Sequence, residues 1–304
     1  MNPAQLIYIS TSTSTNYIYI QQLYYIKMFG FLKRKSADPA PDSFFGNYTL
    51  LNKLGHGGYG VVFTCINKTT GEVRAVKIVH DRKYSRKTWC PRRQMDMPDE
   101  ILLWERADHP SVVQLCDLFL EQDFWMSVME YDPEYLDLFK VLLKSGPLSS
   151  TVTRVIIRQV IQVTTFLQSV GVDHRDIKDE NILYNPSTGH IKLIDFGSSS
   201  AITDKSTLHS SFQGTEGYVP PEFYIKGCYQ AQPAAVWSIG CLAYTLLKLN
   251  PPFLKKEDIV GGKIVEWDFT EDSRARDFVD QCLNYNVNHR ISFNSLARHS
   301  WFRN

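Results

Sequence analysis

The sequence predicts an α+β fold in which a small β-rich lobe precedes a larger helical lobe. Short β-prone runs, broken by glycines and a Lys-Thr-Thr-Gly turn, fill residues 48 to 80, whereas beyond Tyr131 apolar residues recur at helical spacing. Length agrees: 304 residues at 43% hydrophobic content bury a substantial core and favour two compact units over one.

Residues 1 to 43 read as a disordered or poorly ordered tail and linker. Ile7-Tyr8-Ile9, a Ser/Thr alternation and Tyr17-Ile18-Tyr19-Ile20 lack the basic start and small-residue cleavage site of a secretory signal. Met28 is an alternative start, and Ser36-Ala37-Asp38-Pro39-Ala40-Pro41-Asp42-Ser43 has linker composition. The folded body is expected over 44 to 302, beginning with strands Tyr48 to Leu54, Gly60 to Asn67 and Glu72 to His80. The basic run Arg82-Lys83, Arg86-Lys87, Arg92-Arg93 reads as a solvated connection leading to a helix over Met97 to Ala107. Two further strands are expected over Ser111 to Leu120 and Phe124 to Tyr131. The strongest helical patterns are Ser149 to Val170, with Ser149 as N-cap, then Ala234 to Lys248, Ala275 to Leu283 and Ser292 to His299.

Composition excludes several function classes. Thirty-three basic against 32 acidic residues give a formal charge of +1, so no global field draws the chain to nucleic acid or an anionic membrane. Six cysteines without metal-ligand spacing suit reduced thiols and a cytoplasmic or nuclear location. No apolar run reaches the ~18 residues of a membrane span.

Two short words carry the chemistry: His174-Arg175-Asp176-Ile177-Lys178-Asp179-Glu180-Asn181 and, one strand-turn-strand later, Asp195-Phe196-Gly197. Metal-assisted phosphoryl transfer needs a carboxylate aimed at the incoming hydroxyl, an amide a turn later at Mg²⁺, and a second carboxylate at the metals bridging the phosphates. Asp176, Asn181 and Asp195 fit those tasks, and Lys178 stands where it can touch the transferred group. Gly55-His56-Gly57-Gly58-Tyr59-Gly60-Val61-Val62 has the G-x-G-x-x-G-x-V form that lets backbone close over phosphates. A Gly-rich hairpin without a ligand would read the same, but Ala75-Val76-Lys77 follows on the third strand, where a cation would hold the α- and β-phosphates. Glu100 is its expected counter-ion, with Glu105 the competitor.

Asp179 and Glu180, with Asp137 and Glu134, would draw in a basic peptide. Between Asp195 and Glu222 lies a hydroxyl-rich segment (Thr203, Ser206, Thr207, Ser210, Ser211, Thr215) that phosphorylation could order, with Arg175 as counter-charge. Glu222 and Arg290 are expected to form a buried ion pair anchoring it.

Over residues 48 to 302 these words resemble the eukaryotic protein kinases, whose bilobal fold is the α+β arrangement above. Lys178 after His174-Arg175-Asp176 resembles the Ser/Thr branch. The loop words, Leu193-Ile194-Asp195-Phe196-Gly197-Ser198, Asp137-Leu138-Phe139 and Ala234-Ala235-Val236-Trp237-Ser238-Ile239-Gly240 are similar to the PIM kinases. The resemblance implies ATP and Mg²⁺ as cofactors and protein Ser/Thr acceptors, preferably preceded by basic residues. It also implies a monomer active without obligatory loop phosphorylation. Lobes over 44 to 130 and 135 to 302 would meet at a hinge, residues 130 to 134. Leu54, Gly55, Gly57, Gly58, Gly60, Val62, Ala75, Met129 (the gatekeeper), Glu130 and Leu183 would enclose the nucleotide with Lys77 and Glu100. Asp137, Asp179 and Glu180 would contact substrate. Three departures stand out: Asp132 replaces a hinge proline and keeps its N–H, Lys140 replaces an acidic residue, and Ala235 replaces a loop-bracing aspartate, the last a change the PIM kinases share. A catalytically silent scaffold is the alternative; it usually shows a loss among the lysine, the two aspartates or the asparagine.

Overall fold

The computed structural model describes residues 42–56, 60–202, 204, 206–265 and 272–303. The expectations for residues 1 to 41, Gly57, Gly58, Tyr59 and Thr203 lie outside that range. The chain divides into two units, residues 1–49 with 66–72 and residues 50–65 with 73–304.

In the first unit, helix α1 (Phe44–Asn47) is capped by Ser43, whose Oγ accepts the Gly46 N–H at 3.0 Å. Phe44 is fully buried and stacks on Tyr48 at 5.4 Å. Asn67 Oδ1 accepts from the Thr69 and Thr70 amides at 2.9 and 3.0 Å, closing the Lys-Thr-Thr-Gly turn by its own side chain.

The remaining elements belong wholly or largely to the second unit. Strands β1 (Tyr48–His56), β2 (Val61–Asn67) and β3 (Val73–His80) lead into a hairpin of β4 (Lys87–Cys90) and β5 (Met95–Pro98), then helix α2 (Asp99–Arg106) and strands β6 (Leu115–Glu121) and β7 (Phe124–Met129). The five-stranded sheet has the order β1-β2-β3-β7-β6. Antiparallel register sets Ala75 against Met129 and Lys77 against Ser127. In β3 the pairs Ala75-Val76 and Ile78-Val79 are buried around a partly exposed Lys77, so the strand holds its one central cation at a rim rather than inside the core. A Cβ on Gly60 would lie 2.5 Å from the Ile78 carbonyl oxygen, so only glycine lets β2 enter this close to β3.

The expected solvated connection over the basic run is instead the β4–β5 hairpin. Cys90 and Met97 are buried with Ile101 and Trp125, an alternation hidden beneath the charges. The cations find partners nearby: Lys87 meets Asp81 at 2.6 Å, and Arg92 and Arg93 both meet Glu105, at 3.2 and 2.7 Å. The strand expected from Ser111 begins at Leu115, because residues 111–114 bond outward instead, as where the Val113 N–H donates to the Leu193 oxygen at 3.0 Å.

Short strands β8 (Leu136–Asp137), β9 (Val172–Asp173), β10 (Ile182–Tyr184), β11 (Ile191–Leu193), β12 (Ser200–Ala201), β13 (Leu208–His209) and β14 (Tyr229–Gln230) lie among helices α3 (Leu138–Ser145), α4 (Ser150–Ser169), α5 (Pro221–Lys226), α6 (Ala231–Lys248), α7 (Lys256–Gly261) and α8 (Ser273–Cys282). Ser149 caps α4, accepting the Val152 N–H at 3.4 Å, and Ile156, Val160, Val163 and Leu167 form its buried stripe. Helix α6 is buried almost all round from Ala234 to Leu246. A Cβ on Gly240 would come 2.6 Å from Cys282 Cβ, so glycine sets the close packing of α6 on α8. The expected helix over Ser292 to His299 is 3₁₀ rather than α: six residues between Ser292 and His299 leave too few turns to propagate an α-helix.

Glu222 and Arg290 form a buried bidentate pair at 2.9 and 2.7 Å. The guanidinium also donates to the Pro233 and Asn284 oxygens at 2.9 and 3.1 Å and lies over the Trp237 ring at 5.0 Å. Every charge there is paired, which makes the site tolerable in the core and sensitive to removal of either partner. Among the described residues no helix is long and apolar enough to cross a membrane. Glu222→Gln should therefore lower the urea midpoint by an amount corresponding to ~3–5 kcal/mol, with an unchanged m-value. A shift below ~1 kcal/mol would show that the pair does not anchor the fold.

Candidate active site

The Lys77 ammonium sits between two carboxylates, 2.7 Å from Glu100 Oε1 and 3.0 Å from Asp195 Oδ1. Strand β3 supplies the first residue, the opening turn of α2 the second, and the turn after β11 the third. Burial pulls the ammonium's pKa down, but Glu100 and then Asp195 outweigh it and hold it above the ordinary lysine value. Glu105 turns to Arg92 and Arg93 instead.

Asp195 has φ +66°, a left-handed backbone uncommon for a side chain larger than glycine's. Its Oδ1 also accepts the Gly197 N–H at 3.3 Å, and the Lys77 charge holds its carboxyl at about 2. The aromatic ring of Phe196 is buried between Trp104, stacked at 6.2 Å, and His174, edge-on at 5.1 Å. Burial keeps His174 below the ordinary histidine pKa, and its Nε2–H donates to the Ile194 carbonyl at 3.1 Å, which fixes the tautomer.

Asp176 lies in a nest of donors. Its Oδ1 accepts the Thr215 N–H at 3.1 Å and the Thr215 hydroxyl at 3.0 Å, while Oδ2 accepts from Asn181 at 2.8 Å and meets Lys178 at 3.2 Å. Asn181 donates a second time, to the Asp176 carbonyl at 2.9 Å. With the amide nitrogen so engaged, the oxygen of Asn181 is the atom left for a hard cation, and the Asp195 carboxylate is the second donor expected for one. Two oxygen donors completed by phosphate and water suit Mg²⁺. Lys178 bridges Asp176, Glu180 at 3.1 Å and the Thr215 hydroxyl at 2.7 Å.

Thr215, one of several hydroxyls in the segment, closes that segment onto Asp176. Its signal in the sequence is weak, a hydroxyl 39 positions from its partner. Further ties come from Arg175, donating to the Ser211 oxygen at 3.1 Å, and from the Ser198 hydroxyl, donating to the Gln213 oxygen.

Of the residues expected around a nucleotide, Ala75 and Met129 face each other across β3 and β7, Leu183 lies on β10 opposite Asp137, and Leu54 is exposed on β1. Gly55 and Gly60 stand on either side of residues 57–59 in the chain, and Val62 is half-buried on β2. The Glu130 carboxylate turns to Lys192 at 2.7 and 2.8 Å, and its N–H to the Gln114 oxygen at 3.0 Å. The carboxylates expected to meet substrate are differently disposed. Asp137 caps α3 by accepting the Lys140 N–H at 2.8 Å and pairs with the Lys140 ammonium at 2.7 Å. Asp179 is buried, accepts the Tyr218 hydroxyl at 3.3 Å, and has its pKa raised by burial. Glu180 is exposed beside Lys178, and Glu134 accepts from Asn185 at 3.1 Å.

The low pKa of Asp195 carries a sign. A carboxyl held below its unfolded value stabilises the fold at neutral pH, and that contribution is lost as pH falls from the unfolded pKa of ~4 through about 2. Its side chain keeps 37% of its surface exposed, so solvent screens part of the effect. In Lys77→Met, NMR titration of the Asp195 carboxyl should show its midpoint rising toward ~4. A midpoint unmoved by that substitution would show that Lys77 is not the charge that governs it.

Comparison with known proteins places the chain. It matches the protein kinase domain family over residues 48–302. It is 32% identical over 269 residues to the serine/threonine-protein kinase pim-2 of Danio rerio, covering 86% of each chain. It is 30% identical to the serine/threonine-protein kinase prk-2 of Caenorhabditis elegans, covering 84% of this chain and 58% of that one. With the calcium-dependent protein kinase 5 of Plasmodium berghei it shares 33% identity over 82% of its own length and 44% of the relative's. The bilobal α+β fold, the ion triad and these likenesses agree: the chain belongs to the protein kinase domain family and is a PIM-like protein serine/threonine kinase.

Proposed function

We propose that this kinase transfers the γ-phosphate of Mg²⁺-bound ATP to Ser or Thr in peptides with basic residues before the acceptor, without obligatory phosphorylation of its own segment. The observation that carries the reading is the closure of the unmodified segment onto Asp176 by both the amide and the hydroxyl of Thr215. A carboxylate held by four donors is aimed before substrate arrives, and aim is what phosphoryl transfer needs most from a protein.

In this reading Asp176 orients the acceptor hydroxyl and takes its proton, and Lys178 offsets charge on the moving phosphoryl group. Lys77, kept in place by Glu100, would hold the α- and β-phosphates, and Asn181 and Asp195 would hold Mg²⁺, which would supply positive charge against the phosphates. Leu54, Val62, Ala75, Met129 and Leu183 enclose the adenine, with residues 130–134 as hinge between lobes over 44–130 and 135–302. Asp132 keeps a backbone N–H for the adenine edge. We assign the chain as a monomer of the cytoplasm or nucleus, acting on protein substrates. The silent-scaffold alternative gains nothing, since Lys77, Glu100, Asp176, Asn181 and Asp195 are all present, Lys77 paired with Glu100 and Asp195, and Asn181 bonded to Asp176.

Support for a basic preference comes from Glu180, exposed although it meets Lys178 at 3.1 Å, whereas Asp137 is paired with Lys140 at 2.7 Å. Incubation with Mg²⁺-ATP and a peptide library around a central Ser or Thr should show transfer favouring Arg-rich peptides, lost by ~10²–10⁴-fold in Asp176→Asn. Lys140→Asp should raise kcat/KM for those peptides about fivefold, as expected of an exposed charge pair contributing up to ~1 kcal/mol. Transfer without basic preference in either protein would overturn the substrate reading, and equal turnover by Asp176→Asn the catalytic one.

A further inference from the structure

One cavity has no part in the mechanism above, although Glu100 borders it. It encloses about 260 Å³ between the connection from β3 to β4, the first turn of α2 and the segment after Asp195, and three cations line it: Lys83, Arg86 and Arg175. The two guanidinium groups meet chiefly neutral oxygens. Arg86 donates to the Ser199 oxygen at 3.0 Å and approaches Asp99 only to 3.9 Å; Arg175 donates to the Ser211 oxygen at 3.1 Å, and its Nε–H is buried without a partner. Of the two carboxylates in the lining, Asp99 accepts the Thr88 hydroxyl at 2.8 Å and Glu100 is already matched by Lys77 at 2.7 Å. The cavity therefore favours an anion.

Ser85 lines the same cavity, on the short loop between the 3₁₀ turn Asp81–Lys83 and β4. Asp81 pins that loop, meeting Lys87 beyond it at 2.6 Å and accepting the Trp125 indole N–H at 2.6 Å. Ser85 itself is exposed and makes no hydrogen bond among the described residues, by backbone or side chain. Arg82 stands three residues before it and Lys83 two before it, the pattern that the proposed function prefers. Of the serines and threonines in the chain only Ser36 and Ser85 have basic residues at both places, and Ser36 lies outside the described residues.

We infer that Ser85 is a phosphorylation site of this kinase itself, modified by a second copy of the chain, and that its phosphate occupies the cavity against Arg86 and Arg175. This rests on the proposed basic preference. The Asp176 carboxylate faces Thr215, Asn181 and Lys178, none of which lines the cavity that holds Ser85, and the pinned loop keeps Ser85 there, so the enzyme is another copy. In the step, the Ser85 Oγ bonds to the γ-phosphorus of ATP as the bond from that phosphorus to the bridging oxygen breaks. The hydroxyl proton passes to Asp176 of the copy acting as enzyme, and ADP leaves with the bridging oxygen. Phosphoserine brings a charge near −2 and three acceptor oxygens, which suit the partnerless Nε–H of Arg175 and the guanidinium of Arg86. Seated there, it adds a charged tie between the loop before β4 and the segment, beside the bond from Arg86 to the Ser199 oxygen.

The test uses the full chain, phosphatase-treated, as wild type, Ser85→Ala and Asp176→Asn, incubated with Mg²⁺-ATP and an Arg-rich serine peptide, with phosphate located by peptide mass mapping. Wild type should gain phosphate at Ser85 at an initial rate per molecule that rises in proportion to protein concentration. Asp176→Asn should gain it only when a catalytic amount of wild type is added, and unphosphorylated Ser85→Ala should modify the peptide within twofold of unphosphorylated wild type. ³¹P NMR of the modified protein should then show a resonance, missing from Ser85→Ala, that titrates about one unit below the ~6 of an unpaired phosphoserine. In Arg86→Gln and in Arg175→Gln, each modified by added wild type, that midpoint should return toward ~6. Ser85 left unmodified while the peptide is phosphorylated would overturn the site, and a rate per molecule independent of concentration would overturn the second copy. A midpoint near ~6 that neither arginine substitution moves would overturn the seat in the cavity. Loss of transfer to the peptide as well would overturn the proposed function beneath it, and the self-modification with it.

Discussion

The ammonium of Lys77 is the constraint on which the site depends. It joins β3, α2 and the turn after β11, three elements as much as 118 positions apart, through contacts of 2.7 and 3.0 Å. A half-buried cation is tolerable only while paired, and each carboxylate is costly there without the cation. The three elements are therefore held together by the penalty of separating them, and any arrangement that moves α2 away from β3 strands a charge. Glu100 achieves this from the first turn of α2, where the helix dipole also favours a negative group.

Closure of the segment is a second, independent set of ties. Thr215 caps Asp176, Arg175 reaches Ser211, Ser198 reaches Gln213, and Glu222 locks onto Arg290 at the far end. Each of the first three contributes little alone, about 1 kcal/mol for an ordinary hydrogen bond. They share one short stretch of backbone, so ordering entropy is lost once for several bonds.

Where chemistry demands a residue type at a fixed spacing, the sequence was legible. The residues it singled out are ones the fold ties to one another, Asp176 with Asn181 and Lys77 with Glu100 and Asp195. Strands and long helices were visible where burial imposes a period, as in α4. The β4–β5 hairpin was not, because six cations mask the alternation of Cys90, Met95 and Met97, and only their partners Asp81 and Glu105 make those charges compatible with a folded ribbon. The tie of Thr215 to Asp176 is illegible for another reason. It comes from tertiary approach: a common hydroxyl acquires meaning from what lies beside it, and spacing does not encode that. The resemblance marks Lys140 as a departure at an acidic position, but its pairing with Asp137 and the burial of Asp179 are visible only in the fold.

Costs and gains are distributed unevenly, and the distribution follows function. Arg290 is buried with donors on all sides satisfied, as a purely structural charge should be. The catalytic loop does the opposite. Asp173 and Asp179 are buried carboxylates whose pKa values burial raises, His174 is kept neutral by the same burial, and Arg175 and Asp195 hold left-handed backbone. None of these choices favours stability, and each would relax if the loop were free to move. What they have in common is their place, on the loop that carries Asp176 or at Asp195 itself, whose carboxylates Thr215 and Lys77 hold in position. Strain of this kind persists only where surrounding structure over-determines it, which here is the work of the buried helices α4 and α6 beneath the loop.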